Sequence, residues 1–319
     1  MKQLVTGGAG FIGSNYVRWV LANTDDEVVV YDALTYAGNL TTLRDVDDDP
    51  RYTFVHGNIC DPASLEKAMQ GCDAVVHFAA ESHVDRSIVG SDDFVHTNCF
   101  GTNVVMDTAR RLGIDRVVHI GTDEVYGSVE VGSSRETDPL EPRSPYSASK
   151  AGSDLIALAY HHTFGLDVSV TRCTNNFGPF QYPEKAIPLF TTNLLEGKRI
   201  PLYGDGLNER DWLYVDDHCA GVDLVLRRGA AGEIYNIGAG NETPNRVLVD
   251  KLLALLGRDE SYVEYVEDRL GHDRRYSVDI SKITALGWTK QHTLDEALEA
   301  TVAWYRDNEW WWRPLKERG

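Results

Sequence analysis

The segment TGGAGFIG at positions 6–13 closes a short apolar run, Lys2–Thr6, and opens a stretch with helical periodicity over 12–23. Glycine at 7, 10 and 13 permits a tight turn and lets the backbone and the helix N-terminus approach a pyrophosphate, whose charge the helix dipole favours. A strand before and a helix after this pattern restrict the chain to a fold that starts with a dinucleotide-binding βαβ unit. Asp32 lies 19 residues beyond Gly13, at the end of a second apolar run, where a carboxylate can accept hydrogen bonds from an adenosine ribose. The same carboxylate would repel a 2′-phosphate, so NAD is expected rather than NADP.

Apolar runs continue to alternate with helical segments, the pattern of a parallel sheet. Strands are expected at Lys2–Thr6, Glu27–Tyr31, Tyr52–His56, Asp73–Phe78, Asp115–Gly121 and Asp167–Cys173, with helices over 12–23, 62–70, 98–112 and 146–164. The expected class is α/β, a doubly wound parallel sheet of Rossmann type with a smaller C-terminal lobe for the substrate. At ~150 residues per domain, 319 residues make about two. Residues 1–173 read as the dinucleotide domain, which also carries the catalytic groups. Residues 174–319 read mainly as the smaller lobe, because Pro179, Pro183, Pro188 and Pro201 interrupt the regular alternation. Residues 211–238 are expected to return to the main sheet through a strand at Glu233–Ile237.

The formal net charge of −18 disfavours nucleic acid and anionic membrane surfaces as partners. Five cysteines, at 60, 72, 99, 173 and 219, form no CxxC pair and suit a reducing cytoplasm. The chain enters its first strand at once, which leaves no room for a signal peptide, and no apolar run approaches the ~18 residues of a membrane span. His161 and His162 lack companion ligands, so no metal is expected. Trp310–Trp312 reads as a docked tail.

Tyr146 and Lys150 are spaced i, i+4, after Ser144 as a helix N-cap and Pro145 at the first helical position. They share one helix face, and a nearby ammonium is expected to lower the phenol pKa so that the tyrosine can act as a general base on a hydroxyl. Thr122 ends the fifth expected strand, and Asp123 and Glu124 follow it directly. Two adjacent carboxylates disfavour double ionisation, so one holds its proton and serves as an acid while the other serves as a base. Loss of water across two carbons needs such a pair.

Together, the glycine turn, Thr122 and the Tyr146–Lys150 pair resemble the extended short-chain dehydrogenase/reductase family over essentially the whole chain. TDEVYGS (122–128), FAAESHVDRSI (78–88), SPYSASKAGSD (144–154), NNFGP (175–179) and RDWLYVDDH (210–218) resemble its nucleotide-sugar 4,6-dehydratases. The resemblance implies dTDP-glucose as substrate and NAD as cofactor. Tyr146 would take the C4 hydroxyl proton as C4 is oxidised, Glu124 the C5 proton, and Asp123 would protonate the departing C6 hydroxyl, leading to a 4-keto-6-deoxy sugar. It implies cofactor contacts at Gly7, Gly10, Phe11, Ile12, Gly13, Asp32, Asn58, Ile59, Ala79, Ala80, Tyr146 and Lys150. Substrate contacts are implied at Ser82, His83, Thr122, Asn175, Lys185, Tyr203, Arg210, Asn236, Arg269 and His272. It also implies a homodimer packed through helices 98–112 and 146–164.

Asn58, Phe177, Ala239 and Leu270 depart from the family pattern, where aspartate, tyrosine, glycine and proline are usual. A 4-epimerase or decarboxylase on the same scaffold would leave Asp123 and Glu124 without purpose. A non-catalytic NAD sensor would have no use for Tyr146 with Lys150.

Overall fold

The structure, a computed structural model, describes residues 1–268 and 272–317. Strands β1 (Lys2–Thr6), β2 (Glu27–Asp32), β3 (Tyr52–His56), β4 (Ala74–His77), β5 (Arg116–Thr122) and β6 (Val168–Cys173) form in chain order, each within one residue of its expected bounds. All residues of β4, β5 and β6 are buried, as strands covered on both faces must be. Three short strands follow, β7 (Asn175–Phe177), β8 (Ile200–Tyr203) and β9 (Glu209–Tyr214), before β10 (Ile234–Ile237). β10 pairs in parallel with β6 and completes a seven-stranded sheet of order β10-β6-β5-β4-β1-β2-β3. The order reverses direction between β1 and β4, so the connections at their carboxyl ends diverge and open a crevice there.

Each face of the sheet is closed by helices. Phe11–Asn23 and Val215–Arg228 cover one side through Tyr16, Val17, Val20, Val222 and Val225. Pro62–Met69, Thr102–Leu112 and Pro145–Phe164 cover the other through Leu65, Met69, Met106, Ala109 and Ala157. β11 (Glu242–Pro244) joins β9 and β7 in a three-stranded sheet, and β12 (Val263–Val266) pairs with β8. A separate core forms there around Phe177, Phe190, Leu248 and Leu298.

The helix expected over 98–112 is longer and less regular. It starts at Asp92–Phe94, widens into a π-helical turn over Val95–Gly101, and continues as Thr102–Leu112. The wide turn adds a residue to the helical repeat, so a 3.6-residue periodicity finds only the regular end. Within it Asn98 accepts from Glu81 N, and its Nδ2 donates to Glu81 O and Ser149 Oγ, tying the segment after β4 to the helix that carries Tyr146. At the C-terminus, helix Glu309–Glu317 buries Trp311 and Trp312, and Trp311 Nε1 donates to Thr42 Oγ1 at 3.1 Å. Trp310 is half exposed.

Under the carboxyl ends of β5 and β6 lies a buried polar layer. Arg172 Nε donates to Asp154 Oδ2 at 2.9 Å, and Asp154 Oδ1 lies 3.3 Å from His119 Nε2. Removing one partner of such a sealed ion pair costs about 3–5 kcal/mol, because the other charge is left buried alone. Asp154 is held below the usual carboxylate range by His119 and Arg172 against the effect of burial.

Candidate active site

The glycine turn leaves no room for a side chain at Gly7 or Gly13. Gly7 has φ +70°, and a Cβ there would stand 2.6 Å from Ala79 N. A Cβ on Gly13 would stand 2.3 Å from Gly7 O, so the turn and the helix cross with no space for a methyl group. Asp32 ends β2 and accepts from Ala9 N at 2.9 Å and Leu34 N at 2.8 Å, one bond to each oxygen. Each oxygen retains acceptor capacity for a ribose hydroxyl. Burial pushes the Asp32 carboxyl up, and the two backbone N–H groups oppose it.

A cleft of about 330 Å³ runs from Asp32 past the turn to Asp123 and Lys185. All twelve residues expected to touch the cofactor line it, as do Thr122, Asp123, Glu124, Ser82, Asn175 and Lys185. The backbone cradle at one end, the acidic acceptor beside it and the uninterrupted groove between them fit a dinucleotide. Nearby, the Asn175 and Asn176 Oδ1 atoms are buried without a hydrogen-bond partner among the described residues, which leaves two acceptors for a polar ligand.

Tyr146 and Lys150 are presented by the helix Pro145–Phe164, whose start is set by a reciprocal Ser144/Ser147 capping box with Pro145 in the first turn. Lys150 is buried and donates from Nζ to Ile120 O at 2.5 Å. The expected lowering of the phenol pKa does not hold for the protein alone. Burial first and the Glu124 charge second push Tyr146 well above its ordinary range, and the Thr122 hydroxyl only partly opposes them. Lys150 is itself lowered by burial, with Asp154 opposing.

Asp123 and Glu124 begin the helical turn Asp123–Tyr126 at the end of β5. Asp123 is 4% exposed; its Oδ1 accepts from Thr122 Oγ1 at 3.4 Å, and its Oδ2 has no partner among the described residues. Burial raises the Asp123 pKa well above the carboxylate range, with Glu124 and Asp211 adding to it and Arg210 opposing. Burial therefore contributes more than the mutual repulsion on which the sequence argument relied. Glu124 is only partly buried.

The remaining expected substrate contacts divide. Asn236 is internal: Oδ1 accepts from Tyr126 OH, and Nδ2 donates to Ser134 O and Asp279 O, so its amide has no face for a ligand and the expectation is corrected. His83 lies outside the lining, where its Nδ1 caps helix Val84–Val89 and its Nε2 stands 3.5 Å from Glu184. Arg210 is buried over the Tyr276 ring, 4.3 Å from the centroid, and donates to Asp273 O. Tyr203 packs edge-on against His272 at 6.0 Å, which in turn pairs with Asp268. Arg269 lies outside the described residues.

A family model described as GDP-mannose 4,6 dehydratase matches residues 4–301. A dTDP-glucose 4,6-dehydratase of Streptomyces antibioticus is 55% identical over 100% of this chain and 96% of its own length. A solved dTDP-glucose 4,6-dehydratase of Streptomyces venezuelae, with NAD and dTDP bound, superposes with TM-score 0.97 at 58% identity, covering 99% of this chain and 100% of that one. The chain belongs to the dTDP-glucose 4,6-dehydratase family. A UDP-glucose 4-epimerase of Thermotoga maritima shares the fold at TM-score 0.90 but only 30% identity, over 97% of this chain and 100% of that one. A low-salt glycan biosynthesis protein of Haloferax volcanii is 50% identical over 96% of this chain and 98% of its own length.

For this member of the 4,6-dehydratase family, sequence reasoning missed several groups at the cleft. Asn176, Tyr36 and Glu184 line it, and burial first and the Glu124 charge second push the Tyr276 phenol up. Asn176 and Glu184 adjoin residues already singled out, Asn175 and Lys185, so polar doublets in NNFGP and YPEKAIP were the available signal. Tyr36 and Tyr276 carried none, because tyrosines at such spacings pack equally well in a core.

Proposed function

We propose that this chain is an NAD-dependent dTDP-glucose 4,6-dehydratase. The observation that carries the reading is the buried Asp123, whose carboxyl is pushed up by burial, next to the partly exposed Glu124, on the same cleft as Tyr146 and Lys150. An epimerase has no use for that acid–base pair. The glycine turn and Asp32 would hold NAD, which when bound would supply the hydride acceptor for C4 and the hydride donor for C6.

Tyr146 Oη takes the C4 hydroxyl proton. The resulting C4 ketone acidifies the C5 hydrogen, so oxidation must precede elimination. Glu124 removes the C5 proton and Asp123 protonates the C6 hydroxyl, which leaves the 4-keto sugar as water and gives a conjugated 4-keto-5,6-ene. Glu124 returns its proton to C5 as C6 is reduced. Tyr146 has gained one proton and Asp123 has lost one, so transfer between them restores the resting state. Ser82, Asn175 and Lys185 are assigned to the sugar nucleotide, whose diphosphate requires a local positive site within a chain of net charge −18. Incubation with dTDP-glucose and NAD should give the 4-keto-6-deoxy sugar, followed by chromatography of the products. A 4-epimer, or unchanged substrate, would reject the assignment.

A homodimer in the cytoplasm fits the same reading. Among the described residues no helix is long and apolar enough to cross a membrane. Val95, Phe100, Leu155 and Phe164 stand exposed along the helices over 92–112 and 145–164 and would be covered by a second copy. Sedimentation should give twice the 35.6 kDa chain mass, and a monomer at micromolar concentration would contradict it.

A further inference from the structure

Three segments remote in sequence meet at the mouth of the dinucleotide cleft. Arg86, on helix Val84–Val89 after β4, places its guanidinium carbon 3.8 Å over the Tyr36 ring. Its Nη2 lies 3.3 Å from Glu184 Oε2, and His83 Nε2 faces the same oxygen at 3.5 Å. The neighbouring Lys185 donates from Nζ to Ser82 O at 2.9 Å, and Tyr36 packs edge-on against Tyr182 with centroids 5.7 Å apart. Tyr36, Ser82, Tyr182, Glu184 and Lys185 all line the cleft, whereas Arg86 is half exposed and does not. Arg86 thus binds the three segments together from outside.

The loop that carries Tyr36 is shaped by the cofactor end of the cleft. Leu34 takes φ +51°, and a Cβ on Gly38 would stand 2.7 Å from Asp32 Oδ1, so residues 33–38 fold tightly around that carboxylate. Any movement of Tyr36 away from Arg86 therefore opens the wall next to Asp32. We propose that Arg86 and Glu184 form a clasp across the cleft mouth that retains the dinucleotide between turnovers.

This inference rests on the NAD reading above and follows from its chemistry. The dinucleotide ends each cycle in the oxidation state in which it began, so no step requires it to leave. Loss of its reduced form in mid-cycle would strand the keto sugar. The sugar nucleotide, by contrast, must enter and leave at every turnover, so a clasp on the cofactor end restrains only the partner that should stay.

The test measures release of radiolabelled NAD from the loaded enzyme after addition of excess unlabelled NAD. A half-exposed ion pair with a stacked guanidinium is a modest restraint, so Arg86→Ala should raise the release rate about tenfold. kcat at saturating NAD should stay within about twofold, because Arg86 does not itself line the cleft and touches none of the reacting groups. Salt should speed release from the wild type and have little effect on Arg86→Ala. Glu184→Gln should release NAD as fast as Arg86→Ala, and the double variant no faster than either, as one shared contact requires. If Arg86→Ala does not fold, Glu184→Gln and Arg86→Lys carry the test. A wild type that holds NAD, with variants that release it equally slowly or change only the KM for the sugar, overturns the clasp alone. A wild type that retains no NAD overturns the cofactor reading and the clasp with it.

Discussion

Glu124→Gln should reduce turnover of dTDP-glucose by roughly 10²–10⁴-fold, the usual effect of removing a general base, while absorbance of the reduced dinucleotide builds up. Gln has the size of Glu, so the helical turn Asp123–Tyr126 and its contact from Glu124 N to Thr122 Oγ1 at 3.3 Å are kept. In the proposed mechanism C4 oxidation depends on Tyr146, not on Glu124. The Glu124 charge raises the Tyr146 pKa, so its removal makes the phenol easier to ionise, and the first step should run at least as fast as in the wild type. The cycle then halts at the 4-keto sugar, because nothing removes the C5 proton. Stopped-flow absorbance with product analysis checks this. Full turnover would show that the base is another group, and absence of the reduced dinucleotide would show that Glu124 acts earlier.

Tyr146→Phe should reduce the first hydride step by a comparable ~10²–10⁴-fold and leave no reduced dinucleotide. The ring packs edge-on against Phe94 with centroids 6.4 Å apart, a contact that phenylalanine keeps. Only the hydroxyl is lost, so stability should change little. The phenol is held well above its ordinary pKa in the protein alone, with burial as the main cause. Its ionisation therefore depends on positive charge close to it, which Lys150 on the same helix face is proposed to supply. A variant that reduces the dinucleotide at the wild-type rate would remove Tyr146 from the mechanism. The two variants separate the half-reactions, since one accumulates the reduced cofactor and the other never forms it.

Most of the site could be read in the sequence because its signals are local. Gly7, Gly10 and Gly13 mark the turn through backbone geometry that few residues allow. Ser144 and Pro145 mark the helix start, and the i, i+4 spacing places Tyr146 and Lys150 on one face. The last strand of the sheet was legible in the short apolar run near 234–237, but its partner β6 was known only from the structure. Asn236 misled because an amide in a strand carries no sign of whether it faces a ligand or a neighbour, and here Tyr126, Ser134 and Asp279 surround it. The π-helical turn over Val95–Gly101 was invisible for a related reason, since Asn98 takes its partners, Glu81 and Ser149, from elsewhere in the chain.

The sequence alone determined the cofactor turn, the helix presenting the tyrosine and lysine, and the adjacent carboxylates at a strand end, because each depends on spacing along one element. The tertiary structure decided what depends on burial and long-range contact. It buries Asp123 more deeply than Glu124, and that burial raises the Asp123 pKa, which supports the acid role proposed for it. It directs the Lys150 ammonium to Ile120 O, and it brings Arg86 to Glu184 across 98 residues of chain. Desolvation and contact are set by packing, and packing is a property of the assembled fold rather than of any one segment.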